Sequence, residues 1–208
     1  MTSIKLLATS LGKSFGGRSI LKDISCSVSN GECLGIVGDN GSGKSTLVRI
    51  LAGILRPDVG SVVLSINGVD IAPEDVSSHI GFVAPYLRPY DEFTPLELLR
   101  IHDLLTGRTF DADACEATIR RVGLTERSSS LVRTFSSGQR QRMLLALALQ
   151  HRPRVLILDE PSVTLDTAGR AIVEDVVRDH CLHGGCTILA TNDDRELDLC
   201  TSTLSVQP

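Results

Sequence analysis

The chain has 208 residues, of which 42% are hydrophobic, and a formal net charge of −4. That length and apolar content suffice for one substantial core, so a single α/β unit is expected. No apolar run approaches the roughly 18 residues that span a bilayer, Met1 to Ala8 is too short for a secretory signal, and the acidic balance gives no general attraction to nucleic acid, so no such partner is expected.

In chain order, the first stretch with chemical content begins at Cys33 to Val37 (CLGIV), a short apolar run suited to a buried parallel strand. It runs into GDNGSGKS, with Gly38, Gly43, Lys44 and Ser45 at the G-x-x-x-x-G-K-[ST] positions. Glycines let the chain turn so that consecutive N–H groups point inward at phosphate oxygens. Lys44 then reaches the β and γ phosphates of a nucleotide, and the Ser45 hydroxyl ligates Mg2+. Ser45 to Leu55 has helical spacing at Leu47, Ile50, Leu51 and Ile54, which puts the phosphates at a helix N-terminus.

Past Pro85 to Phe93, Thr94 to Leu105 carries Pro95 near its start and apolar residues at helical spacing, and Asp111 to Val122 reads as a second helix. Ser136, Ser137, Gly138 and Gln139 open another helix that continues through Met143, Leu144, Leu147 and Ala148, with Ser136 as N-cap and a second anion site behind it. Val155 to Leu158 is a second buried strand ending in two carboxylates. Asp159 at its tip suits Mg2+, and Glu160 suits proton abstraction from an attacking water. Ala168 to Cys181 reads as a helix and Thr187 to Thr191 as the next strand. Between them, His180, Cys181, His183 and Cys186 are close enough to supply zinc ligands, but Gly184 and Gly185 mark a helix cap leading into that strand. The six cysteines are scattered through apolar segments, as reduced, buried thiols would be.

In this order the motifs resemble ATP-binding cassette (ABC) proteins, whose signature LSGGQ reads FSSGQ here, from Phe135 to Gln139. The resemblance covers almost the whole chain. It implies a phosphate-loop α/β fold with a mixed or parallel β core flanked by helices, an N-terminal antiparallel portion and an inserted helical subdomain. Residues 1–84 and 136–208 would form the nucleotide-binding core, and 85–135 the insertion. ATP and Mg2+ are the implied ligands. Asp39, Asn40, Gly41, Ser42 and Thr46 would join the motif residues around the phosphates, and Phe15 would stack on adenine. Ser136, Ser137, Gly138 and Gln139 would bind the γ-phosphate held by an opposite subunit, which Asp166 of the D-loop would also face. The implied assembly is a head-to-tail dimer, either with itself or with a different cassette, enclosing two ATP molecules.

Two family positions depart from the pattern. Asn192 stands where the switch histidine belongs, and Pro85 stands where a glutamine touches Mg2+ and the attacking water. No histidine follows His183, and Gln139 is the first glutamine in the chain, so neither is supplied by realignment. Asn192 donates a neutral amide hydrogen bond but carries no proton. With Lys44, Glu160 and Asn192 as catalytic residues, slow or partner-dependent hydrolysis is expected. Tyr86, Leu87, Tyr90 and Phe93 suggest a docking surface near Pro85–Phe93 for a transmembrane permease subunit. The expected location is cytoplasmic, peripheral at the membrane through that partner. The compact length looks like small exporter cassettes, including the haem-exporter type. The alternatives are a non-transport ABC ATPase and a nucleotide-gated regulatory subunit with little turnover.

Overall fold

The apolar segments sort into two sheets and a set of helices in a computed structural model that describes residues 2–207. Positions 1 and 208, the outer bounds of the expected domain, lie outside the described residues. Strands β1 (Ile4–Phe15), β2 (Arg18–Ser29), β4 (Val59–Ile66) and β5 (Val69–Asp70) form an antiparallel sheet in the order β2-β1-β4-β5. Strands β3 (Cys33–Val37), β6 (Ile80–Val83), β7 (Val155–Asp159), β8 (Cys186–Ala190) and β9 (Ser202–Ser205) form a sheet in the order β6-β7-β8-β3-β9. Every pairing in it is parallel, so of the two expected forms of the core, mixed or parallel, it takes the second.

Helices connect these strands because parallel neighbours need crossovers. Helix α1 (Lys44–Leu51) follows β3; α2 (Pro95–Leu105), α3 (Ala112–Arg121) and α4 (Ser137–Gln150) lie between β6 and β7; α5 (Thr167–Leu182) leads to β8 and the short α6 (Asp194–Leu197) precedes β9. The central strands are buried on both faces, and their alternate residues divide the core. Val155, Ile157 and Ile188 face α1 and the antiparallel sheet, while Leu156, Leu158 and Leu189 pack with α2, α3, α4 and α5. The segment 85–135 therefore shares a core with α4 and α5.

Helix α1 is shorter than the sequence pattern suggests, stopping at Leu51 instead of Leu55. Gly53 turns left-handed at φ 73°, and the N–H groups of Ile54 and Leu55 fold back onto the Arg49 carbonyl at 2.9 and 3.1 Å. That closes the orphan carbonyls of the helix end. Helix α2 starts as read: Thr94 and Glu97 form a reciprocal capping box, with Pro95 in the first turn.

Candidate functional site

The ends of β3, β7 and β8 converge because the three strands are parallel neighbours, with Asp159 in register with Ala190 and Ile36 in register with that same alanine. Each strand then turns into a loop bearing a candidate group. The loop after β3 requires glycine at two points for different reasons. Gly38 has φ 149°, and a Cβ on it would lie 2.3 Å from the Val206 carbonyl oxygen. Gly43 has φ 108° and packs against Ile20 and Leu21 of β2, 3.0 Å from where its Cβ would be. Gly43 is also the N-cap of α1 and supplies no side-chain acceptor, so the amides of the first turn stay available to an anion.

Lys44 is buried, with its ammonium 2.5 Å from the Gly38 carbonyl oxygen and 3.3 Å from that of Asp39. Asp39, Asn40 and Gly41 form the exposed rim of the loop, Ser42 is buried beneath it, and Ser45 and Thr46 open the helix. Asp159 at the tip of β7 is 1% exposed, and neither of its carboxylate oxygens has a partner that relieves burial. Burial raises its pKa, opposed by the nearby Ser45 hydroxyl and by the charges of Arg49 and Lys44. A buried carboxylate with unspent oxygens beside a hydroxyl is a hard-oxygen donor set, which fits Mg2+.

Glu160, next in the chain, is held with φ 46° while its N–H donates to the Ala190 carbonyl at 2.8 Å. A left-handed glutamate costs on the order of 1 kcal/mol or more, and the strand-tip hydrogen bond maintains it. Its side chain lines a cavity of about 250 Å3 together with Pro85, Ser137, Gln141 and Thr164. Asn192 lies just past β8 and is exposed. The next residue, Asp193, caps α6 and pairs with Arg170 of α5 at 2.9 Å. The structure thus brings together Lys44, Ser45, Asp159 and Glu160, with Pro85 and Asn192 on adjoining loops.

Ser136 caps α4 by accepting the Gln139 N–H at 3.2 Å, and Gln139 Oε1 accepts the Ser136 N–H at 2.9 Å, a complete capping box. Phe135, at the signature's leucine position, is buried core, whereas Ser136 and Ser137 are exposed. Asp166 is exposed and caps α5 through Gly169. Phe15 is 50% exposed at the end of β1, with Lys13 over its ring, so it is available for stacking and does not serve as core. The proposed docking tetrad divides: Tyr86 and Tyr90 are exposed, but Leu87 and Phe93 pack against the core, where their apolar side chains are worth more. His180, Cys181, His183 and Cys186 do not converge; His180 lies against Gly185, and His183 pairs with Asp179.

Three contacts were not read from the sequence. Gly138 packs on the chain carrying the D-loop, 3.2 Å from Thr164 O to where its Cβ would be. Gln141 donates to the Pro161 carbonyl at 3.2 Å, just past Glu160. Arg49 of α1 stacks on Tyr86 at 4.3 Å, joining the helix after the phosphate loop to the segment after Pro85.

Residues 21–163 match the family model described as ABC transporter. An uncharacterized ABC transporter ATP-binding protein of Bacillus subtilis, YdbJ, is 37% identical over 199 residues, covering 95% of this chain and 64% of that protein. The cytochrome c biogenesis ATP-binding export protein CcmA of Aromatoleum aromaticum is 38% identical over 194 residues, covering 91% of this chain and 89% of that protein. Among solved structures, the dimeric post-hydrolysis state of the ATP-binding cassette MJ0796 bound to ADP and Pi has the same fold: TM-score 0.83 at 20% identity, covering 97% of this chain and 94% of that one.

Proposed function

The chain belongs to the ABC transporter family, as one of its ATP-hydrolysing subunits, a class that dimerises and pairs with membrane permeases, and from that premise we propose how its own residues divide the work. ATP is held by the 38–46 loop, with Lys44 leaving the Gly38 carbonyl to meet the β and γ phosphates and Phe15 stacking on the base. Ser45 and Asp159 would hold Mg2+, which would neutralise charge on the phosphates; the observation that carries the reading is the pair of buried, unspent oxygens on Asp159 beside Ser45. Glu160 takes a proton from water as the water oxygen bonds to the γ-phosphorus and the bond to the ADP oxygen breaks, giving ADP and phosphate.

The partner copy, of this chain or of a different cassette, supplies Ser136 to Gln139 to the γ-phosphate, and Asp166 faces it across the interface. Ser136 and Ser137 are exposed and helix α4 is already capped, so the signature segment meets the phosphate without refolding. Residues 85–135 act as the arm that carries closure to a transmembrane permease through Tyr86 and Tyr90, which puts the chain at the cytoplasmic face of the membrane. Residues 1–84 and 136–208, on either side of that arm, serve as the nucleotide-binding part.

Turnover is slow. Pro85 has no polar side-chain group to orient water, and Asn192 offers a neutral amide where a charge-capable donor is the family pattern. Losing one such donor costs on the order of 10²–10³ in rate. Steady-state phosphate release by wild type and Glu160→Gln is the test: wild type should be faster by at least about tenfold, given that acid–base groups contribute 10²–10⁴. Equal rates would overturn the assignment of Glu160.

A further inference from the structure

The start of β3 and the turn before β9 set two thiols side by side. Thr201 donates its N–H to the Cys33 carbonyl at 2.8 Å, and its hydroxyl oxygen accepts the Cys33 N–H at 3.1 Å. This fixes Cys200, the preceding residue, against the first residue of β3. Gly35 leaves the room, because a Cβ there would lie 2.9 Å from the Cys200 sulfur. The two sulfurs are 3.8 Å apart, with Cys33 buried and Cys200 partly exposed. Cys33 donates its S–H toward the Cys200 sulfur; that contact draws the Cys200 thiol below its ordinary range and pushes Cys33 above it. The accessible sulfur is therefore also the readier nucleophile. A third thiol, Cys181, is nearby, but its sulfur is turned to the Glu32 carbonyl and the Thr187 hydroxyl, both at 3.5 Å. Among the described residues no three or more His, Cys, Asp and Glu side chains are grouped to hold a metal ion.

We propose that Cys33 and Cys200 are a reversible thiol–disulfide site, with Cys200 the attacking and Cys33 the resolving thiol, and a low-molecular-weight disulfide as oxidant. The Cys200 thiolate attacks one sulfur of that disulfide, forming a mixed disulfide and expelling one small thiolate. Cys33 gives its proton to that thiolate and attacks the Cys200 sulfur, expelling the second. Two protein thiols are oxidised to one disulfide while one small disulfide is reduced to two thiols. Contraction from 3.8 Å to about 2 Å is within reach of side-chain rotation, since the strand pairing already holds the two backbones together. The bond would staple β9, an edge strand whose one neighbour in the sheet is β3, and close a loop spanning most of the chain.

The full chain is incubated with oxidised glutathione, then examined by thiol titration, non-reducing peptide mapping and thermal melting. Two thiols per chain should be lost, a peptide joining Cys33 to Cys200 should appear, and the melting temperature should rise by about 5–10 °C and return on reduction. Cys181→Ser should change none of this. Cys33→Ser should trap glutathione on Cys200, and Cys200→Ser should form neither adduct nor crosslink. A wild-type map with a stable glutathione adduct, a link through Cys181 or no change in either cysteine overturns the proposal. The wild-type map decides even where a serine variant fails to fold.

Discussion

The phosphate loop and the signature segment both lie at helix N-termini, yet they are built in opposite ways. Around Gly38 to Thr46 the chain is crowded: Lys44 and Ser42 are buried, Asp159 lies beneath, and Val206 and β2 press on the two glycines. Around Ser136 to Gln139 the chain is open, and the helix satisfies its own first turn through the capping box. Under the proposed function, the difference follows from who supplies the ligand. A site that grips a nucleotide within one chain is walled by that chain, whereas a site that must reach a nucleotide on another chain keeps its face free.

Substitutions sharpen this contrast, and the largest effect should come from the walled side. Gly38→Ala would push a methyl group into the Val206 carbonyl, 2.3 Å away, and Ser42 Oγ, 2.7 Å away, at a φ that L residues rarely adopt. Loss of ATP binding in calorimetry is expected, with destabilisation of about 3 kcal/mol or more. Asn192→His restores a titratable donor and should raise phosphate release by about tenfold or more, short of the full 10²–10³ because Pro85 remains; an unchanged rate would mean Asn192 is not near the γ-phosphate.

Asp159→Asn separates holding from folding. Burial raises the Asp159 pKa, so the folded chain binds that proton more tightly than the unfolded chain does. In the absence of metal, stability due to this group is therefore present at low pH and lost as pH rises past the usual carboxylate range. The asparagine variant should be more stable than wild type by about 1 kcal/mol in denaturant melts at neutral pH, while losing Mg2+-dependent ATP binding. Smallest is Ser136→Ala on the open side: about 1 kcal/mol of cap stability, read as a melting shift of about 2–4 °C, with binding of ATP by the isolated chain unaffected.

The motif loops were legible in the sequence because they are local. Spacing alone places Gly38, Gly43, Lys44 and Ser45, and apolar runs place β3 and β7 around them. The Ser136 cap was also legible, since a serine ahead of a helical pattern is a local signal, whereas the reciprocal bonds from Glu97 to Thr94 and from Gln139 to Ser136 emerged with the fold. The antiparallel portion was expected from the family resemblance and not from its own pattern: β1 has register shifts between Ala8 and Leu11 and again before Ser14, which break the two-residue alternation that marks a strand. Nor was the stacking of Arg49 on Tyr86, which depends on α1 and the chain after β6 meeting in space. The split among Tyr86, Leu87, Tyr90 and Phe93 is of the same kind. Composition says they are apolar, and only the fold says which of them already has a core to join.

The Val206 carbonyl that backs Gly38 belongs to the segment after β9, the last strand in chain order, and the Val206 N–H bonds back to Val37 at 2.8 Å. During synthesis at about 5–20 residues per second, the phosphate loop is made on the order of ten seconds before its rear wall. A nascent chain therefore carries its phosphate loop through most of its translation before β9 and Val206 are there to back Gly38.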